Sequence, residues 1–187
     1  NKTTKHLTIP GLESPLAPLS DIAQEIKKAV DIPVVSIGKI ADPGIAEDIL
    51  SRGKADFVAM ARALLADPDF PAKAAEGKPD DIRRCVYCLS DCADKGAPGI
   101  GRCCAINPFA GREHSIRIEP ARVRRKVLVA GGGPAGIQAA LAADQAGHDV
   151  TLWEKQSRLG GLAALMHKAP HKNEMKLARE YLEHCLG

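Results

Sequence analysis

Five of the six cysteines in this 187-residue chain fall within a stretch of 20 residues, as Cys85, Cys88, Cys92, Cys103 and Cys104, while Cys185 stands alone near the far end. The segment that holds them, 85 to about 111, is broken by glycine and proline and shows neither a helical nor a strand period. A stretch of that kind cannot order itself by apolar burial, so something else must organise it. A secreted disulfide scaffold would be shorter and would spread its cysteines through the fold. The flanking sequence here is ordinary α/β sequence, so the expectation is ligation of a metal or cluster in a reducing compartment, the cytoplasm. The spacing is C-x2-C-x3-C, followed by x11 to Cys104 or x10 to Cys103. Two residues between thiolates let one tight turn aim both sulfurs at one site. Four thiolates suit tetrahedral zinc or an iron–sulfur cluster. Zinc sites commonly use two C-x2-C pairs, so three clustered cysteines with one remote favour a cluster.

Periodicity places regular elements on both sides of that segment. Residues 1–20 carry three prolines and few periodic apolar positions, which reads as loop. Ser20 or Asp21 is suited to cap a helix through Ile22, Ala23, Ile26 and Ala29. Pro33 to Gly38 is a short β-branched run of the kind found in buried parallel strands. Asp42-Pro43 opens a helix with Ile45, Ala46, Ile49 and Leu50 inward, and Gly53 stops it. Asp56 to Met60 reads as a second buried strand, Arg62 to Ala66 as a short helix, and Pro68-Asp69 as the start of another that fades by Gly77. Alternating helices and strands imply a parallel sheet. Residues 112–125 hold five arginines and read as a solvated connector. Beyond them follow a strand at Lys126–Ala130, a helix at 134–146, a strand at Asp149–Glu154, a loop with Gly160-Gly161, and a helix from Asn173 to His184.

The second motif is Gly131-Gly132-Gly133-Pro134-Ala135-Gly136, a G-x-G-x-x-G run with a strand before it and a helix after it. Gly131 permits the tight turn, Gly133 lets the backbone approach a pyrophosphate, and Gly136 lets helix and strand pack closely. The pyrophosphate charge then sits at the N-terminus of the helix, where unpaired N–H groups point outward. Glu154 lies 23 residues after Gly131, at the end of the next strand, placed to accept hydrogen bonds from ribose hydroxyls. The motif itself does not separate FAD from NAD. A third, fainter pattern is Gly38-Lys39 at the end of one parallel strand and Met60-Ala61-Arg62 at the end of the next. In a (β/α) barrel the loops after the last two strands make a phosphate site, with Lys39 and Arg62 supplying charge. A surface lysine and an arginine at a helix start would give the same pattern.

Composition excludes other classes. With 45% apolar and 26% charged residues the chain can close a core, and no window approaches the roughly 18 apolar residues of a membrane span. A net charge of +3 with one Trp, two Tyr and three Phe gives no nucleic-acid footprint. No charged segment followed by an apolar run opens the chain, so a secretory leader is not expected. The six histidines form no H-x-x-H pair, the one H-x-x-x-H spacing (His167, His171) is broken by Pro170, and no Ser-His-Asp arrangement can be argued.

In combination, IPVVSIGKIADPGIAEDIL with GKADFVAMARALLADPDF resembles strands seven and eight of the Old Yellow Enzyme-type flavin barrel. DDIRRCVYC, CLSDC and CCAINP resemble the iron–sulfur segment of that family's multidomain branch, which includes 2,4-dienoyl-CoA reductase, trimethylamine dehydrogenase and the bile-acid-inducible flavoprotein reductases. VLVAGGGPAG, VTLWEK and RLGG resemble the start of its FAD-binding domain. The resemblance covers about residue 30 to about 175. It implies an α/β fold in three parts: residues 1–80 as the C-terminal end of an FMN-binding TIM barrel, 81–122 as an irregular cluster segment and linker, and 123–187 as the first βαβ unit of a Rossmann-like FAD domain.

The same resemblance implies that Cys85, Cys88, Cys92 and Cys104 hold a 4Fe-4S cluster, that Gly38, Lys39, Ala61 and Arg62 contact FMN, and that Ala135, Glu154, Gly161 and Lys172 join the glycine loop in contacting FAD. Ala61 stands where the wider family has glycine, and Leu162 where it has a polar residue. Electrons would pass from NAD(P)H through FAD and the cluster to FMN, which would reduce the C=C bond of a small enoyl or enoyl-CoA substrate. The alternatives are an amine dehydrogenase of the same family, an iron–sulfur/FAD electron-transfer subunit without a barrel, and a zinc-stabilised nucleotide-binding module. A barrel of this type takes about 250 residues. The expectation is therefore an internal piece of a longer enzyme that folds poorly by itself and holds cofactor ligands but no catalytic residue.

Overall fold

The structure is a computed structural model that describes residues 8–93 and 101–187. The first seven residues of the expected opening loop, and positions 94–100 of the cysteine segment, lie outside the described residues. The chain is mixed α/β and divides into two compact units, one ending at Ala110 and the other running from Gly111 to Gly187.

The first unit alternates α1 (Ser20–Ala29), β1 (Val35–Ile37), α2 (Pro43–Ser51), β2 (Phe57–Ala59), α3 (Arg62–Ala66) and α4 (Phe70–Ala75), then a 3-10 turn at Pro79–Asp81. Strands β1 and β2 pair in parallel with Val35 opposite Phe57 and Ile37 opposite Ala59. Parallel pairing demands a crossover, which α2 supplies. Its start follows the sequence rule: the Asp42 carboxylate accepts the Gly44 N–H at 2.8 Å, with Pro43 in the first turn. Helix α1 departs from it. Leu19, not Ser20 or Asp21, precedes the first turn and gives no side-chain cap. A turn at Ala17 has already accepted the Ser20 N–H, and the Asp21 carboxylate is drawn away to Lys54 at 2.7 Å. Asp69 likewise makes no cap for α4; its own N–H donates to the Asp67 carboxylate at 3.1 Å.

Two apolar clusters share Met60. Ile40, Ala46, Ile49 and Ala55 pack between α2 and the strands, and Ala41, Ala63, Ala66, Phe70, Ile82, Cys85 and Tyr87 pack around α3 and α4. The outward residues of the sheet are open, with Val35, Ile37 and Phe57 at 48, 51 and 58% exposure.

Asp56 fastens β2 to its neighbours by pairing with Lys27 and accepting the Val34 N–H at 2.8 Å. The Lys27 bond, then that N–H, hold its carboxyl below the usual 3.8. A depressed folded-state pKa adds stability above the unfolded value, and that stability is lost as pH falls through the depressed one. Asp56→Asn should therefore lower stability at neutral pH and flatten its loss below about pH 4, read by thermal denaturation across that range. An unchanged acid limb would show that the pair contributes nothing.

The second unit is a β–α–β start. Strand β3 (Lys126–Ala130) pairs in parallel with β4 (Asp149–Trp153), Lys126 opposite Asp149 and Ala130 opposite Trp153, and α5 (Pro134–Gln145) crosses between them. Ile137 and Ala140 bury the inner face of α5. A short α6 (Ala163–Met166), a 3-10 turn at Asn173–Met175 and α7 (Lys176–His184) follow, so the expected last helix begins three residues late.

Candidate functional site

In the first unit the ends of β1 and β2 open into a cleft of about 530 Å3 whose lining includes Gly38, Lys39, Ala61, Arg62, Tyr87 and Arg102. The four residues expected from sequence are thus brought to one site. Lys39 is no surface lysine: it is 2% exposed, has a φ of 50°, and its ammonium donates to the Ser14 and Leu12 carbonyls at 2.5 and 3.3 Å. Arg62 donates one N–H to the Pro10 carbonyl at 2.7 Å. Both cations lie beside one ring, Lys39 Nζ 4.9 Å and Arg62 Cζ 5.5 Å from the centre of Tyr87. Two buried or half-buried cations at a cleft mouth suit an anionic group, and a planar guanidinium suits a phosphate in particular.

Behind this cleft, Cys85, Cys88, Cys92 and Cys104 line one small cavity together with Arg62. Cys103 does not line it. Among the described residues no three His, Cys, Asp or Glu side chains close on one point tightly enough to hold a single metal ion. The four cysteines line a common cavity instead.

Neighbouring polar groups explain how an irregular segment reaches this arrangement. The buried Asp67 carboxylate accepts from Lys73 Nζ at 2.7 Å and from the Arg83 N–H at 2.8 Å, fixing the approach to Cys85. Asn107, 3% exposed, donates to the Leu65 carbonyl at 3.0 Å and accepts the Phe109 N–H at 3.1 Å, which seats the chain after Cys104 on α3.

The sulfurs are also set up electrostatically. Burial pushes the Cys85 thiol up to about 11, against the Tyr87 N–H at 3.4 Å and the Arg62 charge, which favour thiolate. Burial raises Cys92 and Cys104 as well; Arg62 opposes it at Cys92, and the Ile106 and Asn107 N–H groups oppose it at Cys104. Thiols raised by burial yet met by N–H donors and a cation become ligands once a metal displaces the proton. By donor type, four thiols are the soft chemistry that zinc and iron–sulfur clusters take, although the side chains are not closed around a single ion.

In the second unit the glycine loop has the shape its motif implies. Gly131 has a φ of 110°, and a Cβ on Gly136 would lie 1.9 Å from the Gly131 carbonyl oxygen. A Cβ on Gly133 would meet no protein atom within 4 Å, so the space over this loop is open, as a bound pyrophosphate needs. The Gly160 N–H donates to the Gly132 carbonyl at 2.7 Å, and a Cβ on Gly161 would lie 3.3 Å from Gly133 Cα, so the second glycine pair packs on the first. Glu154 reaches back to accept the Gly132 N–H at 2.7 Å and also accepts the Gln156 N–H at 2.9 Å. Those bonds, Gln156 first, hold its carboxyl below the usual range. Ala135 is exposed in the first turn of α5. Lys172 is not brought to this loop by a hydrogen bond: exposed, it donates its backbone N–H to the Ala169 carbonyl at 3.2 Å.

The motifs alone missed Tyr87 and Arg102. Arg102 lines the cleft and donates to the Cys92 carbonyl at 2.7 Å. Its signal was a basic residue directly before the Cys103-Cys104 pair.

Residues 15–81 match the NADH:flavin oxidoreductase / NADH oxidase family, and residues 126–180 match the FAD dependent oxidoreductase family. The chain is 45% identical over 164 residues to NADH oxidase of Thermoanaerobacter brockii, an alignment covering 87% of this chain and 25% of that protein. The fold superposes on a 2-naphthoyl-CoA reductase in complex with 2-naphthoyl-CoA with a TM-score of 0.88 at 32% identity, covering 94% of this chain and 27% of that one. With histamine dehydrogenase from Rhizobium sp. 4-9 the TM-score is 0.83 at 29% identity, covering 94% and 26%. The chain spans about a quarter of the length of these relatives.

Proposed function

The chain belongs to the Old Yellow Enzyme-type flavoprotein oxidoreductases, in their multidomain branch, and from that premise we propose that it serves an NAD(P)H-dependent reductase of enoyl-type C=C bonds. Residues 1–80 are the C-terminal end of an FMN-binding barrel, 81–122 the cluster segment and linker, and 123–187 the start of a Rossmann-like FAD domain. The observation that carries this reading is that Arg62 lines both the anion cleft and the four-cysteine cavity. Arg62, with Cys92, thereby borders both the place for a flavin phosphate and the place for a cluster, which supports the two groups as neighbours.

When bound, the flavins and the cluster supply hydride transfer and one-electron transfer. The residues of this chain bind and tune. Arg62 and Lys39, with the backbone at Gly38 and Ala61, hold the FMN phosphate. Cys85, Cys88, Cys92 and Cys104 are the cluster thiolates, steadied by the Tyr87, Ile106 and Asn107 N–H groups. Gly131, Gly133 and Gly136 shape the FAD pyrophosphate loop, Ala135 and Gly161 flank it, Glu154 accepts ribose hydroxyls, and Lys172 contacts FAD from the exposed turn before α7. None of these groups is a proton donor to substrate. Among the described residues no helix is long and apolar enough to cross a membrane, and the reading places the enzyme in the cytoplasm.

A second reading, amine dehydrogenation with electrons leaving to an external acceptor, is favoured by the likeness to histamine dehydrogenase. Metal analysis and turnover of the holoenzyme test both. About four iron and four sulfide per chain, with visible absorption bleached by dithionite, is the expected result. NAD(P)H should then drive reduction of an enoyl or enoyl-CoA substrate. Turnover of amines alone would favour the second reading. One zinc, no chromophore and a folded protein would leave a nucleotide-binding module with a structural metal.

A further inference from the structure

Tyr87 occupies the second of the two positions between Cys85 and Cys88, where ligand spacing asks only for a residue that turns the chain. Its φ is 55°, a region in which a bulky residue is an outlier and glycine is unstrained. It is nonetheless 4% exposed and tied to the cleft by several contacts. Its hydroxyl donates to the Lys39 carbonyl at 3.2 Å, across 48 positions of chain, and Lys39 is itself left-handed at φ 50°. Its ring carries Lys39 Nζ at 4.9 Å and Arg62 Cζ at 5.5 Å, and its N–H donates to Cys85 Sγ at 3.4 Å. Strain of this sort persists where the surroundings over-determine it, and it clusters at sites where geometry matters.

We propose that Tyr87 is the positioning residue that holds Lys39 and Arg62 together for the phosphate of FMN, and that it does so from the ligand loop of the neighbouring cysteines. The proposal rests on the FMN reading of the cleft. Two cations gathered at one place repel each other until an anion arrives. The negative face of an aromatic ring beside the two groups offsets that repulsion, and the hydroxyl fixes the strained Lys39 backbone from which one of them projects. Leucine would fill much of the same volume and do neither. Phenylalanine would keep the ring and lose only the bond to the Lys39 carbonyl.

The test uses holoenzyme stripped of FMN and titrated with FMN and with riboflavin, which has the same ring system and no phosphate. Tyr87→Leu should weaken FMN binding about tenfold and riboflavin binding by no more than about twofold. Tyr87→Phe should lose about threefold for FMN alone. Iron content is measured in parallel, so that damage to the cysteine loop is seen directly. Equal losses for the two ligands would make Tyr87 a packing residue and overturn the proposal, as would an unchanged FMN affinity in both variants. Should Tyr87→Leu fail to fold, Tyr87→Phe decides by the same criterion. A wild-type protein with no preference for FMN over riboflavin would remove the phosphate site itself, and the reading of the cleft and the proposal would fall together. A wild-type preference that both variants keep would sink the proposal alone.

Discussion

Cys104→Ser should strip the holoenzyme of most of its iron, while Cys103→Ser, one residue earlier, should leave it in place. Adjacent cysteines of similar exposure make this a sharp contrast, because composition and spacing treat them alike. The Cys104 sulfur lines the cavity shared by Cys85, Cys88, Cys92 and Arg62, and it packs against the apolar cluster around α3 and α4. It also accepts the Ile106 and Asn107 N–H groups, which lower the energy of a thiolate there. Cys103 is turned to the Gly101 carbonyl at 3.9 Å and lies off that cavity. Serine offers a harder, less readily ionised oxygen, so a site built for soft sulfur loses one of four anchors. The expected result is a fall to a minor fraction of about four iron per chain for Cys104→Ser, with loss of the visible band. Cys103→Ser should differ from wild type by no more than the scatter of the assay. Iron lost from Cys103→Ser and kept by Cys104→Ser would make Cys103 the fourth ligand and overturn the assignment to Cys104. Iron kept by both would end the four-thiolate reading.

The sequence carried the elements and the shape of the glycine loop well, because both are written in local order. Asp42-Pro43 starts a helix through contacts two residues apart, and the G-x-G-x-x-G turn is closed by atoms five residues apart. The alternation of helices and strands placed both parallel pairs. What it did not carry lies in contacts made across long stretches of chain. Arg62 reaches Pro10 over 52 positions, Tyr87 reaches Lys39 over 48, and Asn107 reaches Leu65 over 42. No periodicity encodes such pairs. Lys39 shows the consequence: from sequence a basic residue after a strand is equally a solvated side chain, and only the fold buries it against Ser14, Leu12 and the Tyr87 ring. The cap of α1 failed for a related reason. Asp21 suits a local cap, but an ion pair with Lys54, 33 positions away, claims it. Sequence rules for caps describe a helix by itself, and here a neighbouring turn had already met the first N–H.

Gly136→Ala and Gly133→Ala should separate the folding role of the glycine loop from its binding role. An alanine Cβ at 136 would stand 1.9 Å from the Gly131 carbonyl oxygen and 3.0 Å from its carbon, and both are backbone atoms that cannot rotate away. Relief requires α5 to lift from β3, which pulls Ile137, fully buried, out of its packing. Overpacking of this kind costs about 1–3 kcal/mol and more where backbone must shift, so Gly136→Ala should lower thermal stability measurably and lose FAD as a consequence. Gly133 stands differently. Its φ of −76° is open to any residue, and no protein atom lies within 4 Å of an added Cβ. Gly133→Ala should therefore fold as wild type does. The methyl group would occupy the space over the N-terminus of α5, where a pyrophosphate must approach the backbone closely. FAD content should fall at least about tenfold with the melting temperature of the apoprotein unchanged, a separation that a general loss of packing cannot produce. If Gly133→Ala keeps its full complement of FAD, the pyrophosphate does not lie over this turn, and the loop is a packing device that brings helix and strand together through Gly136 alone.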